Sequence, residues 1–337
     1  MTDPAGHAAS PADERFRAVA AAVLEERVDQ IATLSKGLLD VTESEPAELM
    51  WLATRRMRAA LELFRPCFSK SGYRGGREEV RALTEAVGRR RDIDVAIAMV
   101  EEVGAEMGDA EREGLNRMAD RLRRAQAEAN RTLAQSIHGR RMQAFRVRIE
   151  DLSDVAGEGQ GDEGSAPAAL EELPDSVVEL VAKRLERLRA CVPAALEPEA
   201  VKHQHRMGAA AERLRYALEL ASGGFGTQAH TARRAARGLQ EILTEMRDCD
   251  VVLPEVREQI RLMEEADVGT IVERARGSRD LDPVLVQGAP NRAAYRGLEL
   301  LAVHLLARRR MLYNRFKRLW LEQSRQGVWV ALQTSLR

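Results

Sequence analysis

Two helical stretches of this sequence carry arginines at a spacing that could bind anions. They are RRMRAALEL at residues 55–63 and ERLRYALEL at residues 212–220. On a helix Arg55, Arg58 and Arg65 share one face. Arginine suits phosphate because its planar fork can donate to two oxygens of one phosphate group. The spacing therefore predicts a surface for a polyanion.

The plainer interpretation of these arginines is a solvated helix face. It would carry ion pairs between residues four positions apart, such as Arg58 with Glu62 and Arg215 with Glu219. The sequence alone leaves both interpretations open.

Residues suited to catalysis or metal binding are few. The D-x-D pairs at residues 92–94 and 248–250 point about 200° apart on a helix, so one site cannot easily use both carboxylates. We expect them to form ion pairs, with Arg91 and Arg247 as local partners. The chain has no phosphate-cradling glycine loop, no H-E-x-x-H and no C-x-x-C. A non-enzymatic protein without a cofactor is predicted, with small core cysteines at positions 67, 191 and 249.

The sequence repeats itself on the two sides of its middle. A shift of 157 residues aligns the two arginine-rich stretches, and a shift of 156 aligns RDIDV at 91–95 with RDCDV at 247–251. A weaker pair, RRM at 140–142 and at 309–311, lies 169 apart. The order is kept, which predicts an internal duplication.

Each half should contain about four long helices. We expect them at 13–39, 46–68, 77–105 and 109–152, the last broken near Gly139, and at 174–196, 198–221, 227–265 and 289–336, with a break allowed near Pro254. On the second helix of each half an apolar stripe should face the core. Its residues are Met50, Thr54, Met57, Leu61, Phe64 and Phe68, then Met207, Ala211, Leu214 and Leu218.

Composition favours an all-α protein, since 31% of residues are charged and only 4% are aromatic. There is no run of 18 apolar residues, so we expect a cytoplasmic protein without a membrane span. Between residues 149 and 182 there are ten acidic and no basic residues, and the middle of this segment is rich in glycine. The predicted organisation is a disordered start (1–12), a first bundle (13–152), an acidic linker (153–173) and a second bundle (174–337).

The motifs ATRRMRAALELF, RRRDIDV, AAAERLRYALEL and MRDCDVV resemble the repeated motifs of CHAD domains, the conserved-histidine α-helical domains. The resemblance covers roughly residues 13–320. It implies two antiparallel four-helix bundles related by a pseudo-two-fold axis. It also implies a basic cavity or surface that binds inorganic polyphosphate, in many members together with polyphosphate granules.

The sequence departs from the family motif, in which a histidine precedes basic residues three, seven and ten positions later. The matching positions read Glu48, Trp51, Arg55 and Arg58 in the first repeat and His205, Gly208, Glu212 and Arg215 in the second. Two glutamates thus stand where phosphate should approach. A registration through His203 and Arg206 is an alternative for the second repeat.

The candidate polyphosphate ligands are Arg55, Arg56, Arg58, Arg65, His205, Arg206, Arg213, Arg215, Tyr216, Arg140, Arg141, Arg309 and Arg310. The alternative functions are a helical scaffold that has lost its ligand and, less favoured, an RNA-binding protein. Base stacking needs aromatic side chains among the basic ones, and Tyr216, Tyr313 and Trp320 are nearly the only candidates.

Overall fold

The computed structural model of the protein describes residues 11–157, 174–221 and 226–336. Every regular element in these three ranges is helical, which confirms the predicted all-α fold. Within them, no helix has both the length and the low polarity that crossing a membrane requires.

The N-terminal half contains five helices in its described part: α1 (Pro11–Leu34), α2 (Glu45–Leu63), α3 (Lys70–Ala105), α4 (Asp109–Ile137) and α5 (Gly139–Gly157). A 3-10 turn, Arg65–Cys67, follows α2. Helix α1 packs against α2 and α5, and α3 packs against α2 and α4. The predicted break near Gly139 is confirmed, and it turns α5 back onto α1.

The C-terminal half contains α6 (Asp175–Ala195), α7 (Val201–Leu220), α8 (Gly226–Arg274), α9 (Val284–Gln287), α10 (Arg292–Arg325) and α11 (Val328–Ser335). Helix α8 continues through Pro254 without the break that we allowed for. The flanking residues Val252 and Val256 are fully buried, so tertiary packing holds the helix across the proline. Helix α10 ends before Gly327, whose φ of 69° is in the left-handed region that favours glycine.

Helix α3 begins seven residues before its predicted start. Ser69 caps it by accepting a hydrogen bond from the backbone N–H of Gly72. A side chain at Gly72 or Gly76 would lie 2.9 Å from Leu152 of α5. These two glycines allow α5 to approach this turn closely.

Two of the predicted domain boundaries change. Residues 11 and 12 belong to α1, and residues 1–10 of the predicted disordered start lie outside the described residues. Helix α5 runs five residues into the predicted linker, because its apolar face, including Leu152, packs on the rest of the half. The remainder of that linker, 158–173, is also outside the described residues.

The predicted apolar stripes form the core of both halves. All of their members are buried except Phe68, which is partly exposed. Helices of one half also pack on those of the other, α2 on α7, α3 on α8 and α4 on α10. Where α4 packs on α10, Gly114 meets the backbone of Ala294, and Gly297 meets the backbone of Glu111.

The weakest motif pair does not occupy equivalent places in the fold. Residues 140–142 lie in the first turn of α5, whereas 309–311 lie in the middle of α10. The counterpart of Arg309 by contact is Gln126, 183 positions earlier. Gln126 donates to Asp94, and Arg309 donates to Asp250. The three-letter match therefore does not correspond to a match in contacts.

Candidate anion-binding site

The first aspartate of each D-x-D motif pairs with an arginine of the other half, whereas the second, Asp94 or Asp250, pairs within its own half. Arg91 of α3 donates two hydrogen bonds to Asp248 of α8, and Arg247 donates two to Asp92, at 3.1 and 2.8 Å. Glu48 of α2 also accepts from Arg91, at 2.7 Å. Burial alone would lower the pKa of Arg91, but its hydrogen bonds and charge interactions with Asp248 and Glu48 outweigh burial and raise the pKa. The predicted ion-pair role is therefore correct. The expected local pairs of Arg91 with Asp92 (3.5 Å) and of Arg247 with Asp248 (4.0 Å) are present, and the shorter pairs are the ones between the halves.

Arg55 is occupied by the other half of the chain. It pairs with Glu212 of α7, a buried carboxylate, and its guanidinium lies 4.0 Å from the centre of the Trp51 ring. Burial lowers the pKa of Arg55, and the charge of Glu212 opposes that effect. A phosphate would have to displace a carboxylate from a site with little access to solvent.

His205 and Arg309 share one carboxylate. The Nε2 atom of His205 lies 2.9 Å from Asp250, and Arg309 also donates to Asp250. Arg309 further donates to Gln204 at 2.6 Å. Both side chains were predicted as phosphate ligands, and both are held in a polar network that joins α7, α8 and α10.

A second group of arginines surrounds Glu219 of α7. We call this group the Glu219 cluster. It consists of Glu219 and of Arg27, Arg56 and Arg215, whose guanidinium nitrogens lie 4.0, 3.7 and 3.6 Å from the carboxylate oxygens of Glu219. Arg215 also donates to Gln240 at 2.7 Å and lies 4.2 Å from the centre of the Tyr216 ring. The predicted pair of Arg215 with Glu219 is thus present, and the arginines here have protein partners.

A cleft with a volume of about 510 Å³ opens between α2, α3, α6 and α7. We call it the basic cleft, because eight cationic side chains line it: Arg58, Arg65, Arg77, Arg81, Lys183, Arg184, Arg187 and Arg213. Glu62 is the one carboxylate among its described lining residues. Within the described part of the chain, Arg58, Arg77, Arg187 and Arg213 have no carboxylate within ion-pair distance. The cleft therefore offers uncompensated positive charge.

Arg184 forms the floor of the basic cleft. Its side chain is 4% exposed and donates to Glu62 at 2.7 Å and to the backbone oxygen of Arg213 at 2.6 Å. Burial lowers the pKa of Arg184, Glu62 raises it, and the nearby positive charges of Arg213, Arg187 and Arg58 lower it again. The expected pair of Arg58 with Glu62 is wrong, since Glu62 turns to this more deeply buried arginine.

Of the predicted ligands, Arg58, Arg65 and Arg213 line the basic cleft. Arg140 and Arg141 are exposed on α5, Arg206 on α7 and Arg310 on α10, and none of these four lines it. The sequence reasoning missed Arg77 and Arg81 of α3 and the basic residues of α6. A signal was present in KRLERLR at 183–189, whose cations recur at helical spacing.

No cluster of three or more His, Cys, Asp or Glu side chains among the described residues is arranged to hold a metal ion. Neither D-x-D motif contributes two carboxylates to one place, since Asp94 is bound by Arg90 and Gln126. The concentrated charge of the site is cationic.

Two solved structures share the fold. The CHAD domain from the plant Ricinus communis has a TM-score of 0.58 and 19% identity, covering 100% of this chain and 96% of that one. PptA from Streptomyces chartreusis has a TM-score of 0.56 and 17% identity, covering 90% and 98%. No curated protein matches the sequence. The family model of the CHAD domain matches residues 22–257, and the chain belongs to the CHAD domain family.

Proposed function

We propose that this protein binds inorganic polyphosphate without transforming it, and that the basic cleft is where it does so. The observation that carries the proposal is the charge of that cleft, whose described lining has eight cations and one carboxylate. Two of the cations, Arg81 and Lys183, also pair with carboxylates outside the lining, Glu85 and Glu179. Membership of the CHAD family supports the choice of ligand, because the family is associated with polyphosphate. Association with polyphosphate granules would follow from such binding.

The physics of a phosphate chain suits an open basic surface. Each internal phosphate carries about one negative charge, so affinity comes from several cations and from the counterions that they release. Arginines can each hold two phosphate oxygens. Nucleic acid is disfavoured, because Tyr73 is the one aromatic residue among the described residues that line the cleft.

We also propose that the chain is an internal duplication of two antiparallel bundles related by a pseudo-two-fold axis. The contacts between the halves support it, because they are reciprocal. Arg91 binds Asp248 and Arg247 binds Asp92, a shift of 156 in each case.

Two further reciprocal contacts support the duplication. Arg184 pairs with Glu62 and Arg27 with Glu219, a shift of 157. Gly114 touches Ala294 and Gly297 touches Glu111, a shift of 183. Reciprocal contact between equivalent residues is the signature of a two-fold interface. The buried residues of α1 recur in α6 at the same shift of 157, Leu24, Val28 and Ile31 matching Val181, Leu185 and Leu188.

The test is a titration of the purified protein with long-chain polyphosphate and with RNA of equal charge, at two salt concentrations. We expect micromolar or tighter binding of polyphosphate, falling as salt rises, and no release of phosphate. Equal affinity for RNA would show a general polyanion surface, and absence of binding to either would favour a scaffold.

A pair of charge-matched variants tests the location. Arg58→Ala with Arg213→Ala removes two cations from the cleft, and Arg140→Ala with Arg141→Ala removes two exposed cations elsewhere. We expect the first to weaken binding by about 1.5–3 kcal/mol per lost charge-assisted contact and the second to change it little. Equal losses would mean that net charge, not the cleft, determines affinity.

A further inference from the structure

Under the proposed duplication, the surface that is equivalent to the basic cleft is the one at the Glu219 cluster. We infer that the protein is one-sided: only the basic cleft takes a phosphate chain, and the Glu219 cluster is a structural ion-pair network that holds α1 and α7 to α2. This inference rests on the proposed polyphosphate binding and narrows it to one ligand site in each chain.

The inner arginines of the two sides correspond but have different partners. Arg58 corresponds to Arg215 and Arg213 to Arg56, by a shift of 157. Arg58 and Arg213 lack a carboxylate partner in the part of the chain that the structure describes, whereas Arg215 and Arg56 both lie within 4 Å of Glu219. The same residue type is therefore available on one side and engaged on the other.

The residues that differ between the sides lie on the outer helices. Lys183 of α6 corresponds to Glu26 of α1, and Arg187 corresponds to Gln30. Glu26 lies 3.5 Å from Arg27, and Gln30 accepts from Arg27 at 3.3 Å. At these corresponding positions the α1 side thus has a carboxylate and an amide that bind Arg27. The α6 side has two exposed cations there, of which Lys183 pairs with Glu179 at 3.1 Å and Arg187 has no carboxylate within ion-pair distance among the described residues.

The arginines at the rim do not distinguish the two sides. Arg233 and Arg237 of α8 stand at the positions of Arg77 and Arg81 of α3, by a shift of 156. The difference therefore comes from Glu26 and Gln30 of the outer helix α1, and from Glu219, which lies near three arginines and neutralises them in part. A phosphate chain at that side would meet two carboxylates and would have to break existing pairs.

The experiment exchanges the residues that differ. Lys183→Glu with Arg187→Gln gives the basic cleft the residues of its counterpart, and Glu26→Lys with Gln30→Arg does the reverse. The probe is tripolyphosphate, a compact oligophosphate that can occupy one side alone, measured by isothermal titration calorimetry. The substituted positions lie on the outer helices away from the core, and circular dichroism melting checks that each variant folds.

We expect the natural protein to bind one tripolyphosphate in each chain. The first variant should lose affinity about tenfold to hundredfold, and the second should raise the stoichiometry towards two. If the natural protein binds tripolyphosphate and the first variant binds it equally well, the one-sided site is wrong. The proposal that the protein binds polyphosphate would not be affected by that result. Two equal sites in the natural protein would overturn it as well. If the natural protein binds neither tripolyphosphate nor long polyphosphate, the proposed function itself is wrong.

Discussion

The contact between α4 and α10 depends on two glycines and can be tested by adding one methyl group. A Cβ atom at Gly297 would lie 2.8 Å from the carbonyl carbon of Glu111, and closer still to its oxygen, whereas real Cβ contacts essentially never fall below 3.0 Å. The obstacle is backbone, which cannot rotate aside as a side chain does. The two helices would have to separate.

The cost of Gly297→Ala follows from that separation. Overpacking a tight contact costs about 1–3 kcal/mol, and a rigid backbone obstacle places this site near the upper end. Alanine regains about 1 kcal/mol of helix propensity over glycine. The net loss of unfolding free energy is therefore about 2 kcal/mol, or a fall of about 3 °C in Tm. Gly114→Ala should act in the same direction, since its Cβ would lie 2.9 Å from the carbonyl carbon of Ala294.

The matched control is Gly269→Ala in α8. A Cβ at Gly269 meets nothing within 4 Å, so this variant should gain stability by about 0.5–1 kcal/mol from helix propensity alone. Urea denaturation followed by circular dichroism measures all three variants. The argument for close packing of the two halves fails if Gly297→Ala is as stable as Gly269→Ala.

Three further predictions concern the cleft, the core and a thiol. Glu62→Gln removes the negative charge from the basic cleft, so polyphosphate binding should tighten about threefold to tenfold at low salt. The free energy of unfolding should fall by about 1–3 kcal/mol, because Arg184 loses its charged partner. Weaker binding of polyphosphate would contradict this prediction. Leu61→Ala, at a fully buried position, should cost about 2–5 kcal/mol in urea denaturation without changing affinity in the folded state. Burial raises the pKa of Cys249 to about 11, so about one thiol in a thousand is thiolate at pH 8. Mass spectrometry after alkylation should therefore show Cys249 unmodified until the protein is unfolded. Equal labelling of the folded and unfolded protein would refute this prediction.

Helical periodicity was enough to predict most of the fold. The apolar stripe that includes Met57 and Leu214 lies in the core, because a helix must bury its one apolar face. The early start of α3 could not be predicted, since Gly72 and Gly76 lower helix propensity and only the approach of Leu152 explains them.

The ion-pair partners were the part of the site that sequence reasoning could not supply. Spacing along a helix suggested Glu62 for Arg58, but burial of Arg184 makes it the arginine that most needs a carboxylate, and Glu62 pairs with it. The shorter pairs of Arg91 and Arg247, which join the two halves, likewise require the relative placement of two helices that are 156 residues apart. The basic residues of α6 lie outside the motifs that the two halves share, so the repeat did not point to them.

The two glutamates that break the family motif have a physical consequence for the arginines beside them. In a duplicated chain a residue near the two-fold axis faces its own counterpart, so two cations there repel each other unless an anion lies between them. Arg55 faces Glu212, its own counterpart at a shift of 157, and Glu48 likewise binds Arg91. At these two places the protein's own carboxylates neutralise the arginines. Cations without a carboxylate partner among the described residues include Arg58, Arg187 and Arg213 of the basic cleft, beside exposed ones elsewhere such as Arg140 and Arg310. If the chain is duplicated as proposed, the two glutamates explain both the loss of symmetry at the axis and the proposed one-sided phosphate site.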